Sequence, residues 1–261
     1  MMRTSGLWAA AIGLLISPFT LAQEKPARLT FDVASIKLSK PDEQGGGIKP
    51  LPGGNGYIAQ NMPIKIIISL MYRVPMRQIK GGPDWMDSER YDIEARADQA
   101  YGIEDLHLMF QNLLADRFNL KFHKDSREGP VYALTIDKSG LKMKEDGTGQ
   151  DLKIPITFGG NHEIIGNRVA MPYLCWFLGQ QLQNDERPVI DKTGLTKSYD
   201  FTLKFAPLLP PGVSRDSLPP ELQELPSIFD ALKDQLGLRL EAERGPVDYY
   251  IIDHIDRPSP N

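Results

Sequence analysis

Serine chemistry is the first reading the chain invites. Ser139-Gly140-Leu141-Lys142 fits S-x-x-K, and Lys192-Thr193-Gly194 fits K-T-G. In that order a lysine would activate the serine for acyl transfer, and the K-T-G strand would line the cleft. The surroundings oppose it. The serine of such a site opens a buried helix, whereas Ser139 sits in a polar turn. There is no room between the two matches for the helical domain that chemistry needs. Lys192-Thr193-Gly194 reads as a turn ending a short strand, and no G-x-S-x-G elbow occurs.

Metal chemistry fares no better. The histidines His107, His123, His162 and His254 are scattered, with no pair at helical or strand spacing. The acidic run Asp84, Asp87, Glu89, Asp92 and Glu94 lacks the ligand spacing and central glycine of a calcium loop. Gly45-Gly46-Gly47 and Gly53-Gly54-Asn55-Gly56 bare their backbone amides. Neither leads into the Lys-Ser/Thr helix start of a phosphate loop. The one cysteine, Cys175, has the apolar neighbours Leu174, Trp176 and Phe177, so it reads as a small buried hydrophobe. Asp116-Arg117 closes a helix, where an arginine complements the dipole. Arg90, Arg187 and Asp191 read as charges linking strand to helix. No catalytic, cofactor-binding or metal-ligating residue is therefore assigned.

The pattern that organises the chain is a repeat. Tyr91 to Ala97 alternates apolar and charged residues, and Tyr199 to Phe205 does the same in the same phase. Met-Pro and an apolar run precede each, at Met62-Pro63 and Met171-Pro172. Gly-Pro-Val and a β-rich run ending in Ile-Asp follow each, at Gly129 to Asp137 and Gly245 to Asp253. Three landmarks recur in one order about 110 residues apart, the mark of a duplicated unit.

The expected fold is α+β: two tandem similar modules, each a small mixed or antiparallel sheet with two helices packed on one face. Residues 28–140 form the first module, 141–162 a linker, and 163–257 the second, with a proline-rich insertion at 206–226. Within the first, Phe31 to Lys37 reads as a strand, Asp42 to Gly56 as a loop, and Asn61 as the cap of a helix running to Tyr72. Trp85 lies in a single helical turn. Leu106, Met109, Phe110, Leu113, Leu114 and Phe118 form the stripe of an amphipathic helix. Two strands, Asn119 to His123 and Val131 to Asp137, close that module. The second reads in parallel: strand 163–170, buried helix 172–182, strand 189–191, a helix capped by Ser227, and strands 238–242 and 247–255.

Residues 1–22 read as a signal peptide, with Arg3 before the apolar run Leu7 to Ile16 and a cleavage-like Thr20-Leu21-Ala22. The mature start is then Gln23, and the expected location is periplasmic or secreted. The formal charge is −4, or −5 without Arg3, with no basic block, which argues against nucleic acid or an anionic membrane as partner. No stretch after the signal is apolar enough to span a bilayer.

Several segments together resemble a known family. They are Phe31 to Lys37, Gly81-Gly82-Pro83-Asp84-Trp85, Leu113 to Phe118, Pro130 to Leu134, Arg187 to Leu195, and the ending Gln235 to Leu238 with Ile252 to Ile255. The resemblance is to the secreted soil-bacterial proteins termed domain of unknown function 3738, over nearly all of the mature chain. It implies an envelope or secreted location and a sensing or binding role. Some relatives join the domain to a membrane metalloprotease of the β-lactam-sensor type. This sequence carries no such membrane portion or zinc motif, so that activity does not carry over. The family transfers no catalytic residue.

The functional expectation is an extracytoplasmic, non-catalytic binding or interaction protein. Its partner would be an envelope protein, a wall component or a small molecule, held at the interface between modules or by the insertion. The alternative is an envelope hydrolase with an acidic site near Asp87 or Asp92.

Overall fold

A computed structural model describes residues 28–146, 154–160, 163–182, 187–209 and 212–258. The expected signal peptide, His162, Pro210 and Pro211 lie outside the described residues. The architecture is α+β, built on three four-stranded sheets.

The first sheet comprises β1 (Val33–Leu38), β2 (Gly47–Pro50), β3 (Gly56–Pro63) and β5 (Arg90–Arg96), in the order β1-β5-β3-β2, all antiparallel. The alternation in β5 buries Tyr91, Ile93 and Ala95 and leaves Asp92 and Glu94 on the other side. Against the buried face lie α1 (Ile64–Tyr72), the short α2 (Trp85–Ser88) and α3 (Ile103–Arg117), whose expected stripe is buried.

The third sheet repeats that layout. It comprises β7 (Lys144–Asp146), β8 (Ile156–Phe158), β9 (Glu163–Ala170) and β11 (Ser198–Lys204), in the order β7-β11-β9-β8. It is backed by α4 (Met171–Gln181) and by α6 (Ile228–Ala231), which runs on as a π turn over Leu232–Leu236. Ser227 caps α6 by accepting from the amide of Asp230. The insertion contributes the short α5 (Pro220–Gln223), and the Arg215 guanidinium donates to the backbone oxygen of Gln223 at 2.7 Å and also to that of Leu225.

Between them lies a sheet that the repeat does not foretell. β6 (Lys121–Ile136) and β12 (Leu238–His254) pair antiparallel from Leu238–Ile136 to His254–Lys121. β10 (Val189–Asp191) joins β6 in parallel, and β4 (Ile79–Gly81) joins β12 in parallel, giving the order β10-β6-β12-β4. The short strand of each half thus pairs with the long strand of the other. The two long strands also change cores. Tyr132 and Leu134 of β6 pack in the second core, whereas Ile252 of β12 packs in the first. They cross where Gly129 faces Gly245.

Several expectations are corrected. Gly129-Pro130 and Gly245-Pro246 interrupt no strand, so each expected pair of closing strands is one long strand. The Tyr132 amide donates to Pro188 on the β10 side. Pro130, two residues earlier, turns its nitrogen to the same side, before β10 begins, where no ladder donor is needed. Asn61 caps no helix. It sits in β3 at φ 50°, buried, and its side-chain amide donates to the carbonyls of Glu43 and Gly45. The 42–56 loop contains β2, and the 141–162 linker contains β7 and β8: edge strands of three or four residues, too short for alternation to mark them.

Candidate functional site

α1 ends in a Schellman turn. The Arg73 amide donates to Leu70 and the Val74 amide to Ser69, and Arg73 takes the left-handed conformation at φ 52°. Glycine is the usual residue there; arginine pays a conformational penalty. The turn is tied down by the buried Ser69 hydroxyl, 2.6 Å from the Val74 carbonyl, and by Gln111 of α3, which donates to Met71. The side chain of Arg73 is thereby aimed across the seam between the halves. Its guanidinium lies 4.9 Å above the ring of Tyr173 on α4.

On its own side of the seam Arg73 meets α3. One of its terminal nitrogens is 2.5 Å from Glu104 Oε1 and 3.3 Å from His107 Nδ1. Glu104 is in the first turn of α3, where an acid suits the dipole. His107, one turn on, places Nε2 2.8 Å from the Tyr57 hydroxyl of β3. Because a guanidinium only donates, His107 Nδ1 accepts from Arg73. Nε2 then carries the proton and donates to Tyr57. The hydroxyl proton of Tyr57 is left without an acceptor among the described residues.

These groups line a cavity of about 200 Å³. Ile48, Leu70, Met71 and Ile103 form its wall in the first half, with Tyr173 and Trp176 entering from α4. Tyr173 and Trp176 stack edge-to-face, with ring centroids 5.4 Å apart. Two further donors are buried without partners among the described residues, Arg73 Nε and Trp176 Nε1. Arg73 and Trp176 also border a second cavity of about 310 Å³ reaching Cys175 and Tyr250, so they form the partition between the two.

The electrostatics follow from burial. The His107 imidazole is pulled from its ordinary 6.5 down to about 4, first by desolvation and then by the positive Arg73, with Glu104 opposing. It is neutral at pH 7. Burial also pushes the Tyr57 and Tyr173 hydroxyls up, so both stay protonated donors. The unfolded chain therefore binds the His107 proton more tightly than the folded one. The stability this lends is complete above about pH 6.5 and is lost as pH falls towards 4. Its size is about 3 kcal/mol. His107→Gln should remove that part of the loss between pH 7 and pH 4 in urea denaturation. An unchanged pH dependence would show that His107 is solvated.

The groups singled out from the sequence have structural roles. Ser139 donates its amide to Asp137, whereas Lys142 donates to the carbonyls of Lys233 and Asp234 within the π turn, so the two do not act together. Thr193 turns back onto Asp191 through its amide and hydroxyl, and Lys192 pairs with Glu243. Arg187 lies over Tyr132, and Arg90 donates to the Asn61 carbonyl. Cys175 is buried and its thiol is pushed up to about 12. The acidic run disperses. Asp87 pairs with Lys65, Glu89 with Arg257, and Glu94 with Arg96. Asp92 accepts from the Asn61 amide and the Ser39 hydroxyl. Among the described residues no three metal-binding side chains converge, and no helix is long and apolar enough to cross a membrane.

The fold and seam define an α+β protein with a part-apolar cavity gathered from two halves of the chain. A family model described as "Protein of unknown function (DUF3738)" matches residues 65–255, and the chain belongs to that family. Arg73, Glu104, His107, Tyr173 and Trp176 fall inside the match and Tyr57 precedes it. No curated protein and no solved structure matches the chain.

Proposed function

We propose that this is an extracytoplasmic, non-catalytic binding protein whose ligand sits in the seam between two copies of one folding unit. The observation that carries the reading is the cavity itself. Apolar side chains from both halves line it together with Tyr57, Arg73 and Trp176, in the kind of interface where ligand sites form. An isotope-labelled sample screened against small fragments tests it. Shifts should cluster on Tyr57, His107, Tyr173 and Trp176. A screen in which nothing binds, or in which all shifts fall on the 206–226 insertion, rejects it.

Duplication is supported by the matching strand orders of the outer sheets and by one matched pair of carboxylates. Asp92 on β5 accepts from the amide of Asn61 at 2.9 Å, and Asp200 on β11 accepts from that of Arg168 at 2.8 Å. Asn61 and Arg168 each stand in the left-handed region, at φ 50° and 51°, where β3 and β9 slip register. Each carboxylate holds an irregular strand in place. Asp92→Ala and Asp200→Ala should therefore each cost about 1–3 kcal/mol in urea denaturation. Asp92 should cost more, because Ser39 also depends on it. A neutral result at either site would break the equivalence.

Export is supported by the leader-like residues 1–22. Fractionation of the tagged chain should find it outside the cytoplasm and shortened to Gln23. The hydrolase alternative has less support, because Asp92 is engaged in holding β3. Turnover of an ester, peptide or glycoside that Asp92→Asn abolishes would replace the binding reading.

A further inference from the structure

We infer that the seam cavity takes an uncharged small molecule with an aromatic or branched apolar body and a single carbonyl-type acceptor, such as an amide, ester or ketone. The inference rests on the binding reading above and adds the chemistry of the ligand.

Size sets the first limit. A cavity of about 150 Å³ lined by aliphatic and aromatic side chains holds benzene. The seam cavity, at about 200 Å³, fits one ring or branched chain with a short polar group. Its walls of Ile48, Leu70, Met71, Ile103 and the Tyr173 and Trp176 rings suit such a body.

The polar groups set the second limit. Among the described residues that line the cavity, the polar groups without a partner are donors: the Tyr57 hydroxyl proton, and behind the wall the shielded Arg73 Nε–H and Trp176 Nε1–H. A ligand must supply oxygen lone pairs, and one carbonyl oxygen has two. A ligand without an acceptor would leave buried donors unsatisfied.

Charge sets the third. Arg73 is already matched by Glu104 at 2.5 Å, and His107, accepting from Arg73 and donating to Tyr57, is neutral. A carboxylate would bring an uncompensated negative charge to an apolar wall, and an amine would face Arg73. The balance favours a neutral acceptor.

Four probes with similar bodies separate these cases: phenylacetamide, phenylacetate, phenethylamine and ethylbenzene. Each is titrated at pH 7 into the labelled mature chain while the indole N–H of Trp176 is followed. Phenylacetamide should bind about ten-fold tighter than the other three and move that N–H downfield. Glu104→Gln alters a mostly exposed side chain and uncovers the charge of Arg73. It should shift the preference to phenylacetate. Tighter binding of phenylacetate or phenethylamine by the wild type would overturn the neutral class. Equal binding of ethylbenzene would overturn the acceptor requirement while leaving the binding site intact. If none of the four perturbs a seam residue, the binding reading itself falls with this one.

Discussion

Arg73→Gly should leave the protein within about 1 kcal/mol of wild-type stability while cutting affinity for phenylacetamide at least ten-fold. Two opposing effects of similar size produce the first result. Glycine relieves the left-handed strain at φ 52°, worth about 1 kcal/mol. The lost contacts are the cation–π approach to Tyr173, a part-exposed pair with Glu104 and the 3.3 Å hydrogen bond to His107, together worth about 1–2 kcal/mol. The second result follows from the binding proposal, in which the variant loses a charged donor from the cavity wall, about 1.5–3 kcal/mol in a buried setting. An arginine where glycine is the easier choice is a stored cost, which the proposed ligand contact would explain. A third readout separates this from simple repacking. Arg73 helps hold the His107 proton off, so the variant's His107 should titrate at a higher pH, visible by NMR. A large drop in Tm with binding intact would assign Arg73 to the fold alone.

Gly237→Ala should be strongly destabilising, costing about 3–5 kcal/mol. Gly237 ends the π turn before β12 at φ 67°. A Cβ there would lie 1.9 Å from the backbone oxygen of Gly140, 2.8 Å from its carbonyl carbon and 3.1 Å from Leu141 Cα. All three atoms are backbone, and neither segment is free to retreat. The Asp137 amide donates to the Gly237 carbonyl and the Lys142 amide to Leu236, lacing the two turns together. Gly194→Ala is the control. Its φ is 70°, but nothing lies within 4 Å of the added carbon, so only the backbone penalty of about 1 kcal/mol applies. Urea denaturation compares the two. Equal costs would mean the turns are not packed as described.

Much of the fold is legible in the residues, for identifiable reasons. The alternation in Tyr91 to Ala97 and Tyr199 to Phe205 locates β5 and β11 to within a residue at each end, because one face of each is buried. β9 and β10 fall where their patterns place them. The stripe from Leu106 to Phe118 locates α3, although the helix starts three residues earlier. What is hidden is long-range. Gly-Pro pairs read locally as breakers, and only the facing strand shows that Gly129 and Gly245 continue a ladder. The seam has no motif at all. Arg73 ends one helix, His107 edges the apolar face of another, and Tyr173 and Trp176 sit in a helix that reads as all core. The signal that existed was His107 itself, one turn after Ile103 and one turn before Phe110, where a polar ring on a burying helix asks for partners.

The crossing of β6 and β12 has a consequence for how the molecule holds together. Neither half is a freestanding object, since each fills part of its interior with a strand owned by the other. Severing the connection between them would yield a tight two-piece complex that denaturant, and not dilution alone, would part. A single half made in isolation would present an unsatisfied edge complementary to itself, and would meet that need by pairing with another of its kind. Covalent linkage turns this from a matter of concentration into a property of one chain.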